Sequence, residues 1–255
     1  MKKTLLFGLV FLFSHNLSSQ TIYEEFASEK LLATRKIKIQ LPRNYQSNTD
    51  KKYPIVLVLD GDYLFEPVAG NVDYYSYWED MPDAIVVGII QGEGRYADCE
   101  YDNMNFLPAE NGAKFFEFLG MELIPYIDKK YRTAKFIVGV GHDFTANFLN
   151  YYLFKSPSLL NGLINLSPDF APMMEERLVK RIPELNQKIF YYLATGTQDV
   201  KELHDSAESL KAQLQGLESE TFSFYMIILR MPTIIPSWEG ASRMHWIKYS
   251  PCTDP

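Results

Sequence analysis

The chain has 255 residues, 47% of them hydrophobic and 15% aromatic, and a formal net charge of −7. That is enough apolar mass for one sizeable core and a single α/β domain. An acidic chain with scattered lysines and arginines has no electrostatic footprint for nucleic acid or an anionic membrane surface, so neither is an expected partner.

Lys2 and Lys3 precede an apolar run over residues 5–13, and Ser18 and Ser19 follow. This order reads as a cleavable secretory signal over residues 1–20, and it implies a secreted or periplasmic protein. The run is too short to span a bilayer, and no cysteine lies near Gln20, so no stable membrane anchor is expected. Cys99 and Cys252 either pair or remain free thiols.

Residues 35–41 alternate charge with Ile37, Ile39 and Leu41. That period of two predicts an antiparallel edge strand wetted on one face. Residues 54–59 are apolar throughout, as a central strand requires, and Asp60-Gly61-Asp62 ends them. Residues 63–83 are aromatic-rich and partly helical by pattern, and residues 84–90 form a second central strand running into the loop of Gly92 and Gly94. Phe115, Phe116, Leu119, Leu123, Ile124 and Ile127 then recur at helical spacing, with Pro125 expected to kink the last turns.

That helix delivers the chain to an apolar strand over residues 136–140, which runs into Gly141-His142-Asp143-Phe144-Thr145 and a helix over residues 144–155. A short strand follows at residues 163–166, ended by Ser167-Pro168-Asp169. Residues 171–185 read as a helix and residues 188–194 as a strand, and Leu203, Ala207, Leu210 and Leu214 stripe a last helix. Strands separated by helices of this length predict an α/β fold: a doubly wound, mostly parallel sheet with an antiparallel edge strand at the N-terminus. In such a sheet, a sharp turn from strand to helix lifts Asp143 over the sheet edge, where α/β-hydrolases hold their nucleophile.

The segments Lys36-Ile-Lys-Ile-Gln-Leu-Pro-Arg-Asn-Tyr45, Lys52-Tyr-Pro-Ile-Val-Leu-Val-Leu-Asp-Gly61, Ile85-Val-Val-Gly-Ile89, Glu122-Leu-Ile-Pro-Tyr-Ile-Asp-Lys-Lys-Tyr-Arg132 and Tyr192-Leu-Ala-Thr-Gly-Thr-Gln-Asp199 carry a resemblance. In this order they resemble the putative esterase family of α/β-hydrolases, the group related to esterase D, feruloyl esterases and enterobactin esterases. The resemblance implies an α/β-hydrolase fold over residues 21–225, carboxylic-ester hydrolysis and a small-molecule ester or related ligand. By the same resemblance Asp143 stands at the nucleophile position, the backbone N–H groups of Asp62 and Phe144 at the oxyanion hole, and Asp199 at the triad acid. Capping of the following helix is the other use of an aspartate at that junction.

The family elbow reads Gly-His-Ser, then an aromatic or methionine, then two glycines. Here Gly141 and His142 match, Asp143 replaces the serine, and Thr145 and Ala146 replace the glycines. A carboxylate is already deprotonated at neutral pH and has no hydroxyl proton for a histidine to remove. Serine-esterase chemistry is therefore expected to be impaired, and Thr145 to open the elbow slightly. Gly-His-Asp-aromatic also resembles the elbow of epoxide hydrolases and haloalkane dehalogenases, in which the carboxylate itself attacks carbon. A non-catalytic ligand-binding protein and a residual esterase using activated water are further readings.

Residues 226–255 show neither strand nor helix period, and no element presents His245. Reading each codon one base early converts Met244-His245-Trp246-Ile247 to Ala-Leu-Asp, and Lys248-Tyr249-Ser250 permits Ile or Val and then Phe. That string resembles the closing helix of the family, so the tail reads as out of frame. Asp98, Glu100 and Asp102 read as a solvated acidic loop rather than a calcium site, and His204 as a surface residue. Tyr74, Tyr75, Tyr77 and Trp78 read as a cluster near the pocket mouth, open to either core packing or ligand stacking. No metal, dinucleotide or P-loop pattern is present, so no cofactor is expected.

Overall fold

The computed structural model describes residues 21–217 and 219–230. Eight strands form one sheet: β1 (Ile22–Ser28), β2 (Ala33–Gln40), β3 (Tyr53–Val58), β4 (Ile85–Ile90), β5 (Thr133–His142), β6 (Gly162–Leu166), β7 (Ile189–Gly196) and β8 (Phe222–Leu229). Their order is β1-β2-β4-β3-β5-β6-β7-β8. From β4 to β8 every pairing is parallel, whereas β1 pairs β2 and β2 pairs β4 antiparallel. This is the doubly wound α/β-hydrolase architecture that the strand and helix periods imply.

The expected edge strand, β2, is not the edge. β1 covers it, with Ile22 opposite Ile39 and Phe26 opposite Arg35. Glu24 disguises β1 in the sequence by placing a charge among apolar residues. Its carboxylate accepts hydrogen bonds from Tyr126 and Tyr131 and pairs with Lys130, so a partly covered acid is compensated where it lies.

The helices are α1 (Phe65–Tyr77), α2 (Arg95–Cys99), α3 (Glu110–Glu117), α4 (Ile124–Lys130), α5 (Phe144–Asn150), α6 (Met174–Arg181) and α7 (Lys201–Leu214). α1 buries Phe65, Val68, Ala69 and Val72, one face of a 3.6-residue repeat. A Cβ on Gly88 of β4 would lie 2.4 Å from Cδ2 of Phe65, so only glycine lets that ring seat on the sheet. Between α3 and α4 runs a π-helical segment over Phe118–Leu123. Pro125 falls in the first turn of α4, where its missing N–H is tolerated, and not in the last turns of a continuous helix.

Alternate residues of the central strands point to opposite faces and two cores result. Ile55, Leu57, Val87, Leu163 and Tyr191 pack beneath α3 to α7, whereas Val56, Val58, Val86, Val138 and Ile164 pack on the α1 face. Among the described residues no helix is long and apolar enough to cross a membrane. Cys99 is a buried free thiol, and Cys252 lies outside the described residues. So do residues 1–20, read from the sequence as a secretory signal, and His245. β8 continues through Leu229, past the residue 225 boundary drawn from the sequence.

Candidate active site

Three adjacent strands each end in a non-glycine residue with positive φ: Asp60 (56°) after β3, Asp143 (60°) after β5 and Ser167 (41°) after β6. Such conformations persist only where surrounding bonds hold them, and they concentrate at functional edges. Asp143 is held by its N–H donating to the Leu166 carbonyl at 3.0 Å, while its own carbonyl accepts from Asn147 and Asp169. With ψ −121° it occupies the apex of a tight strand-to-helix turn.

The turn is as tight as an elbow must be. A Cβ on Gly141 would sit 2.7 Å from the Ala146 nitrogen, so strand and helix meet backbone to backbone. Thr145 does not open this contact, contrary to the expectation from its size. Its fully buried hydroxyl donates to Asp60 Oδ2 at 2.7 Å and accepts from the His142 N–H at 2.8 Å.

Arg95, the first residue of α2, ties the site together. Its Nε and Nη2 bind the Asp60 carboxylate at 2.5 and 3.2 Å, Nη2 also reaches the His142 carbonyl at 2.9 Å, and Nη1 lies 3.1 Å from Asp143 Oδ2. Its guanidinium lies over the Phe144 ring, 5.6 Å from the centroid. Desolvation opposes the charge on Arg95, but the Asp60 carboxylate outweighs it and holds the guanidinium above its ordinary pKa. Burial raises the Asp169 carboxyl, and the Asp143 charge adds to that rise.

Asp62 projects its carboxylate onto the backbone N–H groups of Gln91 and Gly92, both at 3.0 Å, tying the turn after β3 to the loop after β4. Among the described residues, neither the Asp62 N–H nor the Phe144 N–H has an acceptor. His142 faces the Tyr63 hydroxyl, 2.8 Å from Nδ1. Burial lowers its pKa and favours the neutral imidazole, although the Asp143 charge works the other way.

Asp199 does not cap α7. That helix begins after Val200 with no side-chain cap, and Asp199 Oδ2 instead accepts from Gly196 N–H (2.6 Å), Ser167 Oγ (2.6 Å) and Thr195 Oγ1 (3.0 Å). Thr195 also lies 3.5 Å from Nδ1 of His204, which is half-buried rather than a surface residue.

The acidic loop reading fails at Asp98, which is buried. It pairs with Arg35 at 2.5 Å and accepts from Gln91 Nε2 at 3.2 Å. The Gln91 Oε1 in turn accepts the Asp60 N–H, so a polar chain runs from β2 to the elbow. Asp102 caps its own turn through the N–H groups of Met104 and Asn105. The aromatic cluster is not at the mouth: α1 runs away from the elbow, leaving Tyr74, Tyr77 and Trp78 exposed at its far end and Tyr75 against the core.

Residues 28–143 match the family described as putative esterases. Over that stretch the chain is similar to the family, and its sheet and helices have the α/β-hydrolase architecture. An uncharacterised protein from Capnocytophaga ochracea DSM 7271 superposes with a TM-score of 0.81 at 28% identity, over 91% of this chain and 65% of that one. An IroE-like serine hydrolase from Shewanella oneidensis gives 0.71 at 21% identity, covering 90% and 78%. The enterobactin esterase FES from Shigella flexneri, solved in the presence of enterobactin, gives 0.70 at 17%, covering 90% and 58%. The chain thus spans about two thirds of the Capnocytophaga protein and less of the enterobactin esterase. No curated protein matches the sequence.

The resemblance singled out Asp143, Asp199, Asp62 and Phe144, and Thr145 as a departure from the family glycine, but not Arg95, Asp60 or the Thr145–Asp60 hydrogen bond. Arg95 lies 35 residues from Asp60 and 48 from Asp143, so no local spacing reveals the triple contact. The Gly92 and Gly94 loop just before it was the available signal.

Proposed function

We propose that this is an exported esterase-family protein in which carboxylic-ester hydrolysis is impaired and binding of a small ester or related ligand is retained. The observation that carries the reading is Asp143 itself. It occupies the strained apex of an intact elbow, and its carboxylate is engaged by Arg95 at 3.1 Å. A carboxylate there cannot be activated as a hydroxyl is, and its negative charge opposes an oxyanion forming beside the Phe144 N–H. Two N–H groups without acceptors, at Asp62 and Phe144, remain suited to a carbonyl oxygen. The small-ester class follows the enterobactin esterase likeness, and export follows Lys2, Lys3 and the apolar run behind them.

The intact elbow favours a second reading, with Asp143 as a nucleophile toward an epoxide or alkyl halide. The Arg95 ion pair works against it, because electron density shared with a guanidinium is less available for attack. In either case the activating histidine belongs to the C-terminal segment. Residues 226–229 complete β8 in register with β7, contrary to the reading of the tail from residue 226, so we infer that the out-of-frame stretch begins beyond Leu229 and that the corrected frame supplies this histidine where Thr233-Ile234 now stands. The nucleotide sequence across codons 220–255 decides that point, and a peptide spanning Trp238 from the natural protein would refute it.

The functional test uses frame-restored protein carrying Asp143, Asp143→Ser or Asp143→Ala, assayed on aryl esters and epoxides. Aryl-ester turnover arising only with serine supports the impaired esterase. Epoxide turnover abolished by alanine supports the second reading.

A further inference from the structure

A cavity of about 1170 Å³ opens at the start of β5, lined by α3, the π-helical segment, α4 and the turn after α5. It is somewhat larger than the roughly 300–1,000 Å³ of small-molecule sites. Lys135 on its rim is eight residues before Asp143, and a strand rise of ~3.3 Å per residue separates them by about 25 Å. This cavity is therefore not the elbow site.

Three features shape it. Its walls are aromatic and aliphatic, with Phe116 and Tyr152 stacked at 3.9 Å between centroids and Leu107, Ile124 and Leu159 around them. Gly120 keeps the floor open: a Cβ there would already touch Leu159 at 3.7 Å, and any longer side chain would enter the space. Gly120 and Met121 reach the wall from the π-helical turn, a distortion that frequently accompanies binding sites. Met121 is 63% exposed and Leu107 49%, so apolar surface is open to a ligand.

The charges on the rim select the ligand. Glu117 is paired with Lys30 at 2.7 Å, and Asp128 accepts the Thr133 hydroxyl. Lys135 and Lys155 have no carboxylate partner among the described residues; Lys155 only overlies the Phe116 ring, 5.4 Å from its centroid. With Glu117 neutralised by Lys30, Lys135 and Lys155 outnumber Asp128 on the rim, a local excess of positive charge in a chain of net charge −7. We propose that this cavity is a second binding site, which takes a free long-chain carboxylate with its tail against Phe116, Tyr152 and Leu159 and its head at Lys135 and Lys155.

The test titrates the full chain with hexadecanoate, hexadecanol and acetate below micelle concentrations. Binding is followed by calorimetry and by the Met121 methyl resonance, assigned with Met121→Leu. Hexadecanoate should bind and shift Met121, acetate should not, and K135E/K155E should weaken hexadecanoate at least tenfold while leaving the melting temperature within a few degrees. Asp143→Ala should leave the binding unchanged, which separates this site from the elbow. Gly120→Leu, checked for folding by circular dichroism, should abolish binding by filling the floor. Equal affinity for hexadecanol, indifference to charge reversal, loss of binding with Asp143→Ala, or capture only by anionic phospholipid vesicles would each overturn the assignment.

Discussion

At its C-terminal end β5 delivers Asp143 into a web of charge. Arg95 bridges Asp60, Asp143 and the His142 carbonyl, Thr145 closes onto Asp60, and Gln91 carries the chain on to Asp98 and Arg35. At its N-terminal end the same strand borders an apolar cavity whose wall is stacked rings. One end is held by partially buried ions, which answer to pH and are costly to break singly. The other is held by packing, which does not titrate. The contrast also separates Asp60 from Asp143: one guanidinium serves both, but Asp60 is 1% exposed and Asp143 26%.

The sharpest way to break the contrast is Asp60→Ala, which takes the buried carboxylate from Arg95 and Thr145 and leaves Arg95 only Asp143 and the His142 carbonyl. Removing one partner of a buried pair costs about 3–5 kcal/mol, to be read from urea unfolding. A loss under about 1 kcal/mol would mean that the elbow is not held by this ion pair.

Next in size is a pH effect at Asp98. Burial raises its carboxyl from the ordinary 3.8 to about 6, despite the attraction of Arg35. A raised carboxyl binds its proton more tightly in the folded state, so this group favours folding below pH 4 and loses that contribution as pH rises through about 6. The contribution is on the order of 2–3 kcal/mol. The stability difference between wild type and Asp98→Asn should therefore change between pH 4 and 7, with wild type gaining relative to the variant as pH falls. A difference independent of pH would contradict the burial argument.

At the packed end, Tyr152→Phe removes only the hydroxyl that donates to the Phe116 carbonyl at 2.7 Å and keeps the stacked ring. About 1 kcal/mol should be lost, equally at every pH between 4 and 8. Smallest of all, Asp143→Ala breaks a pair about a quarter exposed on each side and should change stability by less than about 1 kcal/mol. A loss matching that of Asp60→Ala would show that Asp143 is structural.

Most of the fold was legible because burial writes itself into period. The all-apolar β3 and β4 and the stripe of α7 needed no context. β1 was hidden because Glu24 is paid for by Tyr126, Lys130 and Tyr131, about a hundred residues away. α6 starts later than its pattern because Met173 takes a left-handed conformation, φ 66°. The elbow was legible from Gly141-His142 and its flanking strand and helix. Arg95 was not, because contacts 35 and 48 residues apart leave no local trace. The same holds for Asp98, whose burial turns an apparent surface acid into part of the support behind the site.

We propose that Asp143 stands at the nucleophile position of the elbow and so impairs ester chemistry there. The most direct test is kcat/KM for an aryl ester in frame-restored protein with Asp143 and with Asp143→Ser. The account predicts turnover with serine at least a hundredfold above the aspartate parent, in line with the roughly 10²-fold or larger contributions of single catalytic groups. Turnover in the aspartate protein equal to that of the serine variant would contradict it.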